Sequence, residues 1–235
     1  MKPLLLPGQP LWRKIPGLLL GTALLTSAWA VWAFAWPVLR FAKVAEHAGH
    51  SGILYLHSVG GTLLLGVGAA ALYVGSTRRQ FRWHRLLGYT YLIGGGVGAT
   101  LGIVLALAKT HTDPIVPLAI DLAQVSEFGF ALATQGTVWL IVSGMAYRAA
   151  RNRRFEMHRQ WMIRSYVVAW GFVLGALVEQ LPGASDIGDG AAIRWLSWVI
   201  PLVLCEVVLQ WRATARHVIP RPAHASGESP DGGQI

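Results

Sequence analysis

Two histidine–arginine pairs are the residues of this sequence best suited to chemistry. His84-Arg85 and His158-Arg159 occur in the separate segments WHRLLGY and HRQWMIRS. A neutral imidazole can ligate haem iron, and two imidazoles on opposite helices can ligate a single iron. The guanidinium groups of Arg85 and Arg159 suit haem propionates, because arginine pairs well with carboxylates. The pattern favours a haem b site whose iron ligands are His84 and His158.

A purely structural role for the same residues stays open. Each imidazole could cap the start of a helix or donate a hydrogen bond between loops, while Arg85 and Arg159 contact lipid phosphates. Contact with a quinone or with another substrate is a third use of histidines at these positions.

Four other histidines form a weaker candidate site. His57 lies within an apolar segment, where an ionisable side chain is a candidate functional residue. Together with His47, His50 and His111 it could hold zinc or copper, although no cysteine accompanies them. A haem held by His57 and His111 is also conceivable, but His111 lies in a polar segment. We therefore treat His57 as a less favoured metal ligand, with a buried, hydrogen-bonded histidine as the alternative.

Arg164 and Glu206 are charged residues inside apolar segments, at matching distances from the ends of those segments. Charged groups in a bilayer rarely stay unpaired, so we expect a structural ion pair between them. A proton relay that ends at Glu206 is the alternative.

The elements that position these residues follow from composition. Only 13% of the residues are charged, about half the share of a soluble protein, and the mean hydropathy is +0.46. A membrane-spanning helix needs about 20 mostly apolar residues. Six segments qualify: about 15–39, 52–75, 86–108, 128–147, 161–180 and 193–211. The sequence thus predicts an all-α integral membrane protein with a transmembrane domain over 15–212.

Basic residues predict the orientation of this domain. Of the 20 lysines and arginines, fifteen fall on one side of the predicted spans, and basic loops face the cytoplasm. Both termini are therefore expected in the cytoplasm of a bacterial inner membrane, with a short segment over 1–14 and a flexible tail over 213–235. The net charge of +9 is then a topology signal, and nucleic acid is not an expected partner.

The two cytoplasmic loops resemble each other at a single constant offset along the chain, without a gap. The matched pairs are Tyr73/Tyr147, Arg79/Arg153, Phe81/Phe155, His84/His158 and Arg85/Arg159. Each loop joins an inward-running helix to an outward-running one, which predicts a parallel repeat with units of about 52–109 and 126–181. The second to fifth helices would form a four-helix core, with the first and sixth packed outside it.

The helix that carries His57, together with WHRLLGY and HRQWMIRS, resembles a family of bacterial polytopic membrane proteins without a settled activity. The resemblance covers about residues 50–180. More loosely, the arrangement of histidines at helix ends in a small bundle is similar to that in cytochrome b561 and ferric-reductase-like membrane proteins. Those proteins place histidine pairs within the bundle for two haems, whereas the fourth span here contains no histidine.

We expect a membrane-bound electron-transfer protein with one b-type haem, linked to a quinol. A non-catalytic accessory or assembly subunit of a larger membrane complex is one alternative, and a small transporter is another. No Walker loop, dinucleotide fingerprint or HExxH pair indicates an enzyme class.

Overall fold

A computed structural model of the chain describes residues 21–22, 24–35, 51–77, 81–109, 119–120, 125–183 and 190–218. His47, His50 and His111 lie outside these ranges, as do Arg79 and the N-terminal segment over 1–14.

Long helices account for nearly all of the described residues. They are a short apolar helix α1 over Leu24–Ala33, followed by α2 Ser51–Thr77, α3 His84–Leu107, α4 Glu127–Arg151, α5 Phe155–Val178 and α6 Ala191–Val218. Helices α2 to α6 are each long and apolar enough to cross a membrane. Two short strands, β1 Ala108–Lys109 and β2 Ala119–Ile120, pair antiparallel after α3. The prediction of an all-helical membrane protein is confirmed.

The first and last predicted segments can be compared with the structure. Of the first predicted span, 15–39, the structure describes residues 21–22 and 24–35, which include α1. Helix α6 continues to Val218, past the predicted start of the tail at 213. This extension carries alanine and arginine, which favour helix, and basic groups at a C-terminus interact well with the helix dipole.

Local signals set the bounds of α4, which carries part of the site. The Ser126 side chain accepts a hydrogen bond from the Gly129 backbone N–H at 3.1 Å and caps the start of the helix. At the other end Arg153 adopts a left-handed conformation with φ 56°, and the Arg154 N–H donates to the Ala149 carbonyl. This compact turn lets α5 begin at Phe155, so α4 and α5 run antiparallel.

Helices α2 to α5 form a ring in which consecutive helices pack together and α5 also packs on α2. Helices α3 and α5 therefore lie diagonally opposite across the centre. Helices α2 and α3 approach each other closely, and a Cβ on Gly60 would lie 2.5 Å from Gly98 Cα. Glycine is needed here because the two backbones are in direct contact.

The remaining two helices pack outside this ring. Helix α1 lies against α2, and its Ser27 hydroxyl is 2.9 Å from the Tyr166 hydroxyl of α5. Helix α6 packs on α5 and α4, with Trp198 against Gly171.

Candidate functional site

The structure brings His84 and His158 together across the centre of the helix ring. Their ring centroids are 6.3 Å apart, and the ring planes are nearly perpendicular, at 84°. His84 is the first residue of α3 and His158 lies in the first turn of α5, so both imidazoles occupy the same end of the bundle. Each ring is half-buried. Two diagonal helices therefore bring one imidazole each to the same end of the bundle.

Both imidazoles contact the helix that precedes them in the chain. His158 Nδ1 lies 2.9 Å from the Ala146 carbonyl oxygen on α4. Because a carbonyl only accepts hydrogen bonds, Nδ1 carries the proton in the neutral ring and Nε2 stays available as an acceptor or a metal ligand. The His84 ring lies beside α2, where Gly75 and the backbone of Ala71 are its neighbours. Each ring therefore contacts the preceding helix, and His158 does so through a hydrogen bond to a carbonyl.

Small residues flank the imidazole pair. A Cβ on Gly75 would lie 2.9 Å from His84 Cε1, so any larger residue there would displace the ring. Ala71 and Ala146, which lie beside the two rings, are both buried. The flanking helices α2 and α4 therefore place little side-chain volume beside the pair.

The arginines next to the histidines have described partners on their own helices. The Arg85 guanidinium lies 5.8 Å from the centroid of the Tyr89 ring, and Arg159 forms an exposed ion pair with Glu156 at 3.2 Å. Exposed ion pairs of this kind contribute little to stability, so Arg159 can reorient toward another anion.

His57 belongs to a different part of the bundle. Its Nδ1 lies 2.8 Å from the Gly98 carbonyl oxygen on α3, and its ring fills the space beside Gly102. On α2, His57 and Gly75 are separated by five helical turns, which corresponds to about 27 Å along the helix axis. The ring is thus a hydrogen-bonded interhelical contact. Within the described residues, no group of three or more metal-ligating side chains forms.

A buried hydroxyl cluster, absent from the sequence-based predictions, lies deeper in the same helix ring. We use this name for Tyr91, Trp139, Ser143 and Ser165. The Tyr91 and Ser165 hydroxyls are 2.6 Å apart, those of Ser165 and Ser143 are 2.7 Å apart, and the Trp139 indole N–H donates to the Tyr91 hydroxyl at 3.1 Å. All four side chains are almost fully buried.

The position of the cluster relative to the histidines follows a regular spacing. Tyr91 is seven residues after His84, and Ser165 is seven residues after His158. Seven residues are close to two helical turns, so each hydroxyl lies on the same face as its histidine and about 10 Å deeper. Tyr91 and Ser165 are consequently separated by the same number of residues as the two histidines. This shared sequence offset is the signal that could have identified Tyr91 and Ser165 as neighbours.

Arg164 and Glu206 form a two-pronged ion pair between α5 and α6. Arg164 Nε donates to one carboxylate oxygen at 2.8 Å and Nη2 donates to the other at 3.0 Å. The guanidinium also lies 4.9 Å from the centroid of the Trp161 ring. The contacts are those of a structural link between helices.

A second link at the opposite end of the same helices was missed. Arg194 of α6 pairs with Glu179, directly after α5, and its guanidinium lies 5.2 Å from the Phe128 ring. Hydropathy does not show that the start of α6, which carries Arg194, lies beside the end of α5, which precedes Glu179.

Comparison with known proteins gives one family. Residues 54–209, most of the chain, match the family described as predicted membrane protein (DUF2306). Comparisons with curated proteins and with solved structures gave no match. The expected resemblance to a family of polytopic membrane proteins is thereby confirmed, while the looser resemblance to cytochrome b561 stays a prediction.

Proposed function

We propose that this chain, which belongs to the DUF2306 family of predicted membrane proteins, is an electron-transfer protein that holds one b-type haem between His84 and His158. The observation that carries the proposal is the pair of imidazoles whose centroids lie 6.3 Å apart on diagonal helices. A haem would supply a centre that takes up and releases one electron at a time.

The separation of the two rings fits ligation of a single metal ion. A metal–nitrogen bond is about 2 Å long and a ring nitrogen lies about 1.1 Å from the ring centre, so two opposed ligands have centres roughly 6 Å apart. The observed value is 6.3 Å. The centroid separation therefore matches the spacing that ligation of one metal ion by both rings would need.

The lateral space is a stricter requirement. The two described cavities are lined by residues other than these histidines. A haem held by His84 and His158 would therefore need additional space between the helices. Ala71, Gly75 and Ala146, which are small residues beside the rings, favour such space.

The backbone contacts prepare the rings for this role. The Nδ1–H of His158 donates to the Ala146 carbonyl, which fixes the ring orientation and raises the basicity of Nε2. Arg85 and Arg159, adjacent to the ligands in sequence, are the candidate partners for propionates.

The proposal includes the finer topology expected from the sequence. It has six membrane spans with both termini in the cytoplasm of a bacterial inner membrane, and a parallel repeat that relates α2–α3 to α4–α5. The equal placement of His84 and His158 at one end of the bundle supports the repeat. The basic loops support the orientation.

The haem content of purified variants tests the site. His84→Ala and His158→Ala should each lose haem while eluting from size-exclusion chromatography as the wild type does. His57→Ala is the matched control, because it removes a half-buried, carbonyl-bonded histidine from another part of the bundle and should retain haem. Equal haem content in all three variants would refute ligation by this pair. A folded wild type without haem would favour the accessory-subunit or transporter alternatives.

A further inference from the structure

A groove on the outer surface of the bundle lies between α3 and α4 and has a volume of about 430 Å³. Its walls include Tyr89, Gly96, Trp139, Ser143, Gly144 and Tyr147. The helices that border it span the membrane, so the groove opens sideways toward lipid. A ligand that reaches it must be soluble in the bilayer.

Two glycines create the depth of this groove. A Cβ on Gly96 or on Gly144 would have no neighbouring atom within 4 Å. By contrast, a Cβ on the adjacent Gly95 would meet Trp139 at 2.6 Å, so that glycine serves helix packing. Gly96 and Gly144 are not required by contacts between the helices, and their effect is to leave open space.

The groove borders the buried hydroxyl cluster. Ser143 lines the groove and is bonded to the Ser165 hydroxyl, which in turn bonds to the Tyr91 hydroxyl. A serine hydroxyl has one donor and two acceptor positions, and the interactions of Ser143 with Ser165 and Tyr91 use two of these three. The remaining position is available to a polar atom of a ligand only at the floor of the groove, because Ser143 is almost fully buried.

The groove also lies close to the histidine pair. Ser143 precedes Ala146 by one helical turn on α4, about 4.5 Å along the axis, and the Ala146 carbonyl holds His158. A ligand at Ser143 would be within one or two turns of both imidazoles.

We propose that this groove binds the ring of a membrane quinone or quinol. This inference rests on the proposed function, for which it names the lipid-soluble partner. The lining contains no charged side chain, which disfavours a phospholipid headgroup, and its aromatic side chains and hydroxyl suit a neutral ring that carries oxygen atoms. The prenyl tail extends into the bilayer, onto which the groove opens.

Binding of decyl-benzoquinone to the purified full-length protein, measured by calorimetric titration in detergent, tests the inference. Gly144→Leu should fill the groove without a clash and weaken binding by ~tenfold or more, because the ring loses its space. Ser143→Ala should weaken binding several-fold. The matched control is Gly66→Leu, at another exposed helical glycine with no atom within 4 Å of its Cβ, and it should bind as the wild type does.

The outcomes separate this inference from the haem proposal. Absence of saturable binding to folded wild type, or equal binding by Gly144→Leu and Gly66→Leu, would overturn the groove assignment. Displacement of the quinone by an equal concentration of phospholipid would also overturn it. Haem content is measured on the same samples: quinone binding without haem supports the groove and refutes the haem site, whereas haem without quinone binding refutes the groove alone.

Discussion

The glycine contact between α2 and α3 gives a stability prediction with an adjacent control. A methyl group at residue 60 would place a carbon 2.5 Å from Gly98 Cα and 2.6 Å from the Gly94 carbonyl oxygen. Carbon atoms pack at about 3.5–4.0 Å, so α2 and α3 would have to separate by roughly 1 Å or more. Overpacking of this kind costs about 1–3 kcal/mol. Gly60→Ala should therefore destabilise the protein.

The neighbouring Gly61→Ala variant is the control, because its Cβ would have no atom within 4 Å. Both substitutions raise helix propensity by the same amount, about 1 kcal/mol, so this contribution cancels in the comparison. Thermal unfolding in one detergent, followed by fluorescence-detected size-exclusion chromatography, measures the difference. Gly60→Ala should melt several degrees below Gly61→Ala. Equal melting temperatures would show that the close approach of α2 and α3 is not a feature of the folded protein.

The remaining predictions concern the ion pair, the hydroxyl cluster and the topology. Glu206→Ala leaves the Arg164 guanidinium without its partner and should lower the yield of folded protein. Breaking a buried pair costs about 3–5 kcal/mol, and the cost here should be at or below that range because the Glu206 carboxylate is partly exposed. An unchanged yield would refute the link. Tyr91→Phe leaves a buried indole N–H without its acceptor and should cost about 1–3 kcal/mol in thermal or denaturant unfolding; wild-type stability would contradict this. Cysteines introduced at Gln80 and Asn152 in a Cys205→Ser background should be labelled only from the cytoplasmic side, and labelling from outside would reverse the orientation.

The sequence was most informative where a property depends on one helix at a time. Span lengths depend on hydropathy alone, which is why α2 to α6 fall close to their predicted positions. His84 and His158 could be paired because the constant offset between two similar sequence segments predicts that they lie at equivalent points of two helices. The depth of Arg164 and Glu206 in their spans likewise predicted the contact that the structure contains.

Features that depend on the rotation of several helices were not predictable in the same way. Tyr91, Trp139, Ser143 and Ser165 are ordinary residues for membrane helices, and only the packing of α3, α4 and α5 makes them one cluster. The groove beside Gly144 has the same origin, because a glycine in a helix does not reveal whether its open side meets another helix or lipid.

The most direct test of the account is the reduced-minus-oxidised absorption spectrum of the wild-type protein. It should be purified in folded form from a host that supplies sufficient haem. The histidine pair at 6.3 Å predicts a sharp Soret band with the narrow bands of a six-coordinate b-type haem. A folded, monodisperse preparation with no haem absorption would contradict the account.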